Sequence, residues 1–156
     1  MDAMLTEALG HHQSGRPREA EALYRQILEV NPDHSEALHL LGVLALQADH
    51  GDEAIRLMER SLELNPSNAS ALNNLGQAFE SLGRLDDAMA VYRKAIAVAP
   101  GFAEAHYNLG DALMLKGKPE EAVSCYERAL ESHPDNPEIL TSLGIAFSSM
   151  GMQKDA

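Results

Sequence analysis

The sequence predicts an all-α solenoid built from repeated pairs of helices, and three series of residues carry this prediction. Within the 156 residues, a proline, a glycine and an alanine each recur every 34 residues. The series are Pro32, Pro66, Pro100 and Pro134; Gly42, Gly76, Gly110 and Gly144; and Ala20, Ala54, Ala88, Ala122 and Ala156. A fixed period of roughly 20–50 residues is typical of solenoids and related arrays. The chain is therefore interpreted as one domain, 1–156, with full repeats at 1–34, 35–68, 69–102 and 103–136 and a partial repeat at 137–156.

The first helix of each repeat, helix A, is predicted from apolar residues at helical spacing. In repeat three these are Leu72, Leu75, Phe79 and Leu82, which would share one face of a helix. Position 15 of the repeat is expected to form the turn that follows, because glycine takes the positive φ that ends many helices. It is occupied by Gly15, Asp49, Gly83, Gly117 and Gly151.

The second helix, helix B, ends at the proline series, since proline cannot continue a helix. In repeat three it carries Val91, Ala95 and Ile96 on its apolar face. The residue after each proline is expected to cap the next helix A, because Asp and Ser side chains accept hydrogen bonds from free N–H groups. These predicted caps are Asp33, Ser67 and Asp135.

Small residues indicate a close contact between the two helices. Glycine inside a helix costs about 1 kcal/mol relative to alanine, and the series at position 8 accepts this cost four times. The simplest explanation is that helix B leaves no room there for a side chain, with the alanines of position 20 as the matching surface. Large residues at position 24 are expected to fill the space between neighbouring repeats: Tyr24, Met58, Tyr92 and Tyr126.

This pattern resembles the tetratricopeptide repeat, and the resemblance covers the whole chain. Repeat three carries it most fully, in Leu72, Leu75, Gly76, Phe79, Ala88, Tyr92, Ala95 and Pro100. Glu7, Ser61 and His106 depart from the family pattern. The resemblance implies a right-handed superhelix of antiparallel helix pairs, in which helix A lines a concave groove. It also implies a scaffold that binds peptides or partner proteins.

Composition narrows the function. With 12 Lys and Arg against 24 Asp and Glu, the net charge is −12, which argues against a nucleic-acid partner because phosphate binding needs clustered cations. No run of about 18 apolar residues is present, so no membrane span is predicted. The amino terminus has no basic stretch typical of a signal peptide, and the single Cys125 fits a reducing compartment. We therefore predict a cytoplasmic location.

No residue pattern indicates catalysis, so the protein is predicted not to be an enzyme, with no catalytic residue, metal site or cofactor. Neither a glycine-rich phosphate loop nor a paired-cysteine or paired-histidine metal motif occurs. His11 and His12 are adjacent, and adjacent helical residues do not face each other. The remaining polar or reactive candidates are interpreted as parts of turns or of the core: Asp49, His50, Asp52, Cys125 and His106.

Charge is segregated within the repeat. Positions 1–13, which carry helix A, hold no Lys or Arg, and all 12 cations fall at positions 14–26. The acids of positions 1–13 are Asp2, Glu7, Glu36, Glu80, Glu104, Asp111 and Glu138. Acids in a first helical turn are favoured by the helix dipole, which explains those at position 2 but not Glu80 or Asp111. A functional acidic groove and a solvated acidic face both remain open.

Two devices known from the family were compared with the groove. The family's carboxylate clamp would fall on His39, Val43, Asn74, Glu104 and Asn108, where the asparagines match but the cations are missing. Because Glu104 would repel a carboxylate, a receptor for acidic chaperone tails is not predicted.

Asn74 and Asn108 resemble instead the stacked asparagines that hold an extended peptide by its backbone, since a carboxamide both donates and accepts hydrogen bonds. Solvated polar residues are the alternative interpretation. Leu40, Val43 and Leu46 of repeat two are a possible apolar pocket. The full predicted peptide-binding set is His39, Leu40, Val43, Asn73, Asn74, Gln77, Glu104, Tyr107, Asn108, Asp111, Thr141 and Ser142.

The leading hypothesis is a non-catalytic scaffold that binds an extended, neutral or basic peptide segment of a protein partner. Two alternatives stay open. Residues 21–42 resemble the start of bacterial chains in which repeats precede a transferase domain, including relatives of the O-linked N-acetylglucosamine transferases, where the repeats would present a protein substrate. The other alternative is a self-assembling structural oligomer.

The partial fifth repeat bears on both alternatives. Leu140, Leu143 and Phe147 are expected to pack on repeat four, whereas Ile139, Ile145 and Met150 would point to other sides of the helix. The uncovered apolar surface predicts that the chain continues beyond Ala156 or associates through this end, as a symmetric dimer.

Overall fold

The computed structural model describes residues 2–154, with side chains described for 3–151, and this part of the chain is all α-helical. The helices are α1 (Asp2–Gln13), α2 (Pro17–Val30), α3 (Ser35–Gln47), α4 (Gly51–Leu64), α5 (Ala69–Ser81), α6 (Leu85–Val98), α7 (Ala103–Leu115), α8 (Pro119–Ser132) and α9 (Pro137–Lys154). The predicted all-α solenoid of helix pairs is confirmed. Ala156, the last member of the alanine series, and the side chain of Asp2 lie outside the described residues.

The helices stack in chain order. Each odd-numbered helix packs on the even-numbered helix that follows it, and each pair packs on the next pair. The odd-numbered helices α3, α5, α7 and α9 also contact one another in succession, whereas no comparable contact joins the even-numbered helices over residues 2–154. The stack therefore curves toward the odd-numbered helices. We call the surface that α3, α5, α7 and α9 share the groove.

The turns between paired helices follow the predicted glycines with one exception. Gly15, Gly83 and Gly117 have φ values of 70°, 72° and 71°, and Asp49 takes the same left-handed conformation at φ 61°. Gly151 departs from the prediction, because it lies inside α9. In the other repeats a following helix packs against helix A and fixes the turn, and no described residue packs in that way on α9.

The caps of helix A lie one residue later than predicted. The backbone N–H of Ala37 donates to His34 Nδ1 at 3.2 Å, and that of Ala71 donates to Asn68 Oδ1 at 3.0 Å. Asn136 Oδ1 accepts from Ile139 N at 3.1 Å. The prediction of Asp33, Ser67 and Asp135 was wrong, because the extended backbone that a cap requires falls at the second residue after the proline.

The close contact at position 8 is confirmed, and its partner is now identified. A Cβ added at Gly76 or Gly110 would overlap the ring of Tyr92 or Tyr126, and one added at Gly42 would lie 2.9 Å from Met58 Cγ. The position-24 side chain therefore fills the hollow over the glycine of its own repeat, rather than the space between repeats. At Gly144 the same test meets nothing within 4 Å.

The exposed face of α9 differs from the prediction in detail. Leu140 and Phe147 are 47% and 52% exposed, while Ile139 is 5% exposed and packs on α8. Their counterparts Leu72 and Phe79 are 6% and 5% exposed, since α6 covers them. Leu140 and Phe147 thus belong to the face that a paired helix covers elsewhere, and the expectation that they pack on repeat four was wrong.

No helix in the described part of the chain combines the length and the apolar character needed to cross a membrane.

Candidate functional site

Hydrogen bonds between repeats organise the floor of the groove. Asn74 Nδ2 lies 2.9 Å from His39 Nε2, and Asn108 Nδ2 donates to Asn73 Oδ1 at 2.9 Å. In both cases position 6 of one repeat bonds to position 5 of the repeat before it. The two predicted asparagines are therefore anchored at fixed points along the groove.

These bonds divide the predicted site residues into two kinds. His39 and Asn73 are only 9% and 2% exposed, so they offer little surface to a ligand and instead hold the asparagines. Asn74 and Asn108 are half-buried and keep their side-chain carbonyl oxygens and one amide hydrogen each for other partners. Burial lowers the pKa of His39. The neutral ring can accept the Asn74 hydrogen at Nε2, as the geometry requires.

The other predicted residues line the groove to different degrees. Glu104 and Thr141 are exposed, and Thr141 Oγ1 donates to the Pro137 carbonyl within its own helix at 2.7 Å. Leu40, Val43 and Leu46, suggested as an apolar pocket in repeat two, are half-buried and pack against the core. The remaining predicted residues are half-buried: Gln77, Tyr107, Asp111 and Ser142.

Two groove carboxylates accept hydrogen bonds from position-24 tyrosines, which the sequence predicted only to fill space between neighbouring repeats. The Tyr92 hydroxyl donates to Glu80 Oε2 at 2.8 Å, and the Tyr126 hydroxyl donates to Asp111 Oδ1 at 2.7 Å. Each phenol extends from helix B, over the glycine, to the groove side of helix A. The signal that could have found this contact is a position-24 tyrosine with an acid 12 or 15 residues before it.

Ion pairs lie away from the groove. Cations pair with acids on the helix B side, as in Arg25 with Glu21 at 2.7 Å and Arg84 with Asp87 at 2.8 Å. Over residues 3–151, no Lys or Arg forms an ion pair with Glu80 or Asp111. The predicted segregation of charge is thus present in three dimensions, and the groove carries carboxylates that hydroxyl groups hold without neutralising.

Two cavities lie on different faces of the stack, one on the helix B side and one on the groove side. The larger, about 700 Å³, lies between α4 and α6 above Leu72 and Phe79, away from the groove. A second, about 410 Å³, opens on the groove side of α5, α7 and α9. We call the second cavity the Asp111 pocket, and its lining is Glu80, Asp111, Met114, Leu115, Tyr126, Ser142 and Ile145.

The residues interpreted as structural behave accordingly. His106 is 8% exposed, and its Nε2 lies 2.8 Å from the Pro100 carbonyl, which makes it a satisfied core histidine. Cys125 is half-buried against the core, and burial raises the pKa of its thiol, which favours the unreactive protonated form. Asp49 takes the backbone conformation that glycine takes at the other turns, which supports its interpretation as a turn residue.

Comparison with protein families gives consistent matches along the chain. Two family models, both described as tetratricopeptide repeat, match it, one at residues 5–50 and 40–101 and the other at 81–144. Among curated proteins, none matches the chain.

Solved structures share the fold over most of the chain. The crystal structure of MamA is 24% identical with a TM-score of 0.84, over 94% of this chain and 86% of that one. A thermophilic protein of Thermus thermophilus is 25% identical with a TM-score of 0.81, over 96% and 82%. A mutant O-GlcNAc transferase of Thermobaculum terrenum is 28% identical with a TM-score of 0.81, and the match covers 85% of this chain but only 26% of the transferase.

Proposed function

The chain belongs to the tetratricopeptide-repeat family, and from that premise we propose that its groove binds an extended, neutral or basic peptide segment of a partner protein. Repeats of this family imply a protein–protein interaction scaffold and generally form non-catalytic modules. One observation supports the finer proposal most directly. The groove presents two anchored amides, Asn74 and Asn108, beside carboxylates that no cation neutralises within the described residues.

The anchored amides suit an extended backbone. A peptide strand carries an N–H donor and a C=O acceptor at every residue, and each asparagine retains an acceptor and a donor for them. Contacts of this kind do not read side chains, so they tolerate many sequences. The carboxylates supply the bias, because they attract Lys and Arg and repel Asp and Glu.

A displayed library of random 12-residue peptides with free carboxyl termini tests the charge bias. We expect enrichment of Lys and Arg, and no enrichment of acidic carboxyl-terminal tails. Binding should weaken with added salt, because charges on exposed groups are screened over about 8–10 Å near physiological ionic strength. Enrichment of peptides rich in Asp and Glu would contradict the proposal.

A test of the amide contacts requires a variant that leaves no buried polar group without a partner. Asn108→Ala alone orphans the buried Asn73 oxygen, which costs about 1–3 kcal/mol of stability. The double variant Asn73→Ala with Asn108→Ala removes both partners, so it should fold and yet bind a library-selected peptide more weakly, by about 0.5–1.5 kcal/mol for the lost hydrogen bond. Calorimetric titration measures this. Gln26→Ala, exposed on α2, is the control, and equal affinity of the double variant and the control would refute the amide contact.

A second candidate function follows from the transferase match. The segment of the Thermobaculum protein that matches this chain, at 28% identity, makes up only 26% of that protein. This arrangement is expected where repeats present a substrate to a separate catalytic domain. Sequencing the gene beyond codon 156 decides between a stand-alone scaffold and this arrangement.

We also propose that a second copy of the chain covers the exposed face of α9. Leu140 and Phe147 are about half exposed there, and nothing fills the space over Gly144. Light scattering should show a dimer that Phe147→Glu converts to a monomer, whereas Val30→Ser, at an exposed position on α2, leaves it intact. A monomer at high concentration would contradict this proposal.

A further inference from the structure

The Asp111 pocket combines an uncovered apolar wall with a charged one. Leu115 and Ile145, on α7 and α9, are 66% and 56% exposed, and the half-buried Met114 also belongs to the lining. Large apolar side chains grouped at a concave surface usually mark a contact with a ligand or partner. About 410 Å³ of space lies against them, which is room for a long side chain.

Two carboxylates also line the pocket. Glu80 and Asp111 come from successive repeats, and each accepts one hydroxyl hydrogen, from Tyr92 and Tyr126 respectively. These hydroxyls fix the orientation of the carboxylates. They do not neutralise the carboxylates, because a protonated phenol carries no charge, and burial, the largest cause, raises the pKa of both tyrosines and so disfavours the phenolate.

The lining therefore selects its occupant by charge complementarity. Among the side chains of residues 3–151, no Lys or Arg lines the pocket, and helix A segments carry none anywhere in the sequence. An acidic side chain would be repelled, and a purely apolar one would leave both carboxylates without a counter-charge. Lysine and arginine join an aliphatic stem to a cationic head, and they bury the stem along apolar surface while the head stays polar.

We propose that the Asp111 pocket is a specificity subsite for one Lys or Arg side chain of the bound peptide. The stem lies along Met114, Leu115 and Ile145, and the head donates to Glu80 and Asp111. This inference rests on the proposed groove function and deepens it, since it places the preference for basic residues at one defined point between repeats three and five.

The test uses blocked pentapeptides, acetyl-Ala-Ala-Xaa-Ala-Ala-amide, in which Xaa is Lys, Arg, norleucine or Glu. Titration into the full ¹⁵N-labelled chain should shift the amide signals of Met114, Leu115, Ser142 and Ile145 for the Lys and Arg peptides. Norleucine keeps the stem and lacks the charge, so we expect its peptide to bind about fivefold more weakly, the range of an exposed charge pair. The Glu peptide should bind more weakly still.

Three variants separate the carboxylates from the rest of the site. Asp111→Asn and Glu80→Gln should each weaken the Lys peptide about threefold to fivefold and reduce its advantage over norleucine. Glu127→Gln, an exposed acid on α8, is the matched control and should change neither. If either pocket variant fails to fold, the wild-type chain can still be tested. In 0.5 M salt, the affinity of the Lys peptide relative to the norleucine peptide should fall.

The outcomes distinguish the subsite from the groove function. Equal affinity for Lys and norleucine, with shifts at Asn74 and Asn108, would overturn the subsite and leave peptide binding in place. Shifts by the Lys peptide only on the helix B side would overturn both. No groove shift from any peptide, including a library-selected one, would also overturn both.

Discussion

Tyr24 and Tyr92 occupy the same position in repeats one and three, yet only one of them reaches a partner in the groove. Both rings are fully buried, at 0% exposure. The Tyr92 hydroxyl donates to Glu80, whereas the buried Tyr24 hydroxyl has no hydrogen-bond partner among the described residues. The counterpart of Glu80 in repeat one is His12, whose ring lies edge-on to Tyr24 at 6.4 Å. The buried ring therefore packs in the core of both repeats. Of these two repeats, the hydroxyl makes a hydrogen bond to the groove only in repeat three, where position 12 is an acid.

The largest expected effect comes from filling the hollow that the ring occupies. Gly76→Ala would force the Tyr92 ring to move, and overpacking of this kind costs about 1–3 kcal/mol. A gain in helix propensity of about 1 kcal/mol offsets part of it. We expect a net loss in the free energy of unfolding, measured by urea denaturation.

Gly144→Ala is the matched control at the same repeat position. Nothing lies within 4 Å of the added Cβ, so the propensity gain of about 1 kcal/mol should appear without a cost. If both glycines respond alike, the tyrosine is not what requires the missing side chain.

Removing the hydroxyl group should change the free energy of unfolding in different directions at Tyr92 and Tyr24. Tyr92→Phe loses a hydrogen bond to a carboxylate and should lower the free energy of unfolding by about 0.5–1.5 kcal/mol. Tyr24→Phe removes an unpaired buried polar group, so stability should stay level or rise. Equal losses from both would show that the Tyr24 hydroxyl has a partner after all.

The smallest expected effect is a pH dependence of stability. It should arise at the bond between His39 and Asn74 and not at the bond between Asn73 and Asn108. Burial lowers the pKa of His39, so near pH 6.5 the unfolded chain takes up a proton that the folded chain does not. Stability should therefore fall as the pH drops below about 6.5, by at most about 1.4 kcal/mol per pH unit. Asn73, at the same position one repeat later, cannot titrate.

His39→Gln keeps an acceptor for Asn74 and should flatten this dependence between pH 7.5 and 5.5, as measured by denaturation at each pH. His133→Gln, at an exposed position, should leave the slope as it was. An unchanged slope in His39→Gln would assign the pH dependence to other groups.

The backbone could be predicted because its constraints repeat. Gly15, Gly83 and Gly117 are needed for positive φ, and Gly76 and Gly110 for close approach, so their spacing alone specifies turns and helix contacts. Caps were displaced by one residue, since the choice between two neighbouring polar residues depends on where the chain leaves its turn.

The groove could be predicted only in part. Its acids and amides were visible as a pattern on helix A, but two of its contacts depend on side chains that arrive from elsewhere. The reach of Tyr126 across helix A to Asp111, and the bond from Asn108 to the buried Asn73, are set by three-dimensional packing between residues 15 and 35 positions apart. The spacing of apolar residues along one helix does not by itself specify which polar side chains meet across two helices.

The bonds from Asn74 to His39 and from Asn108 to Asn73 have a mechanical consequence. They span adjacent repeats on the inner side of the bend, where α3 contacts α5 and α5 contacts α7. Straightening the solenoid would move adjacent repeats apart on this side and stretch these bonds. The bonds therefore resist a change in curvature. The proposed peptide contacts use the same amides, so we expect peptide binding and the curvature of the stack to be coupled.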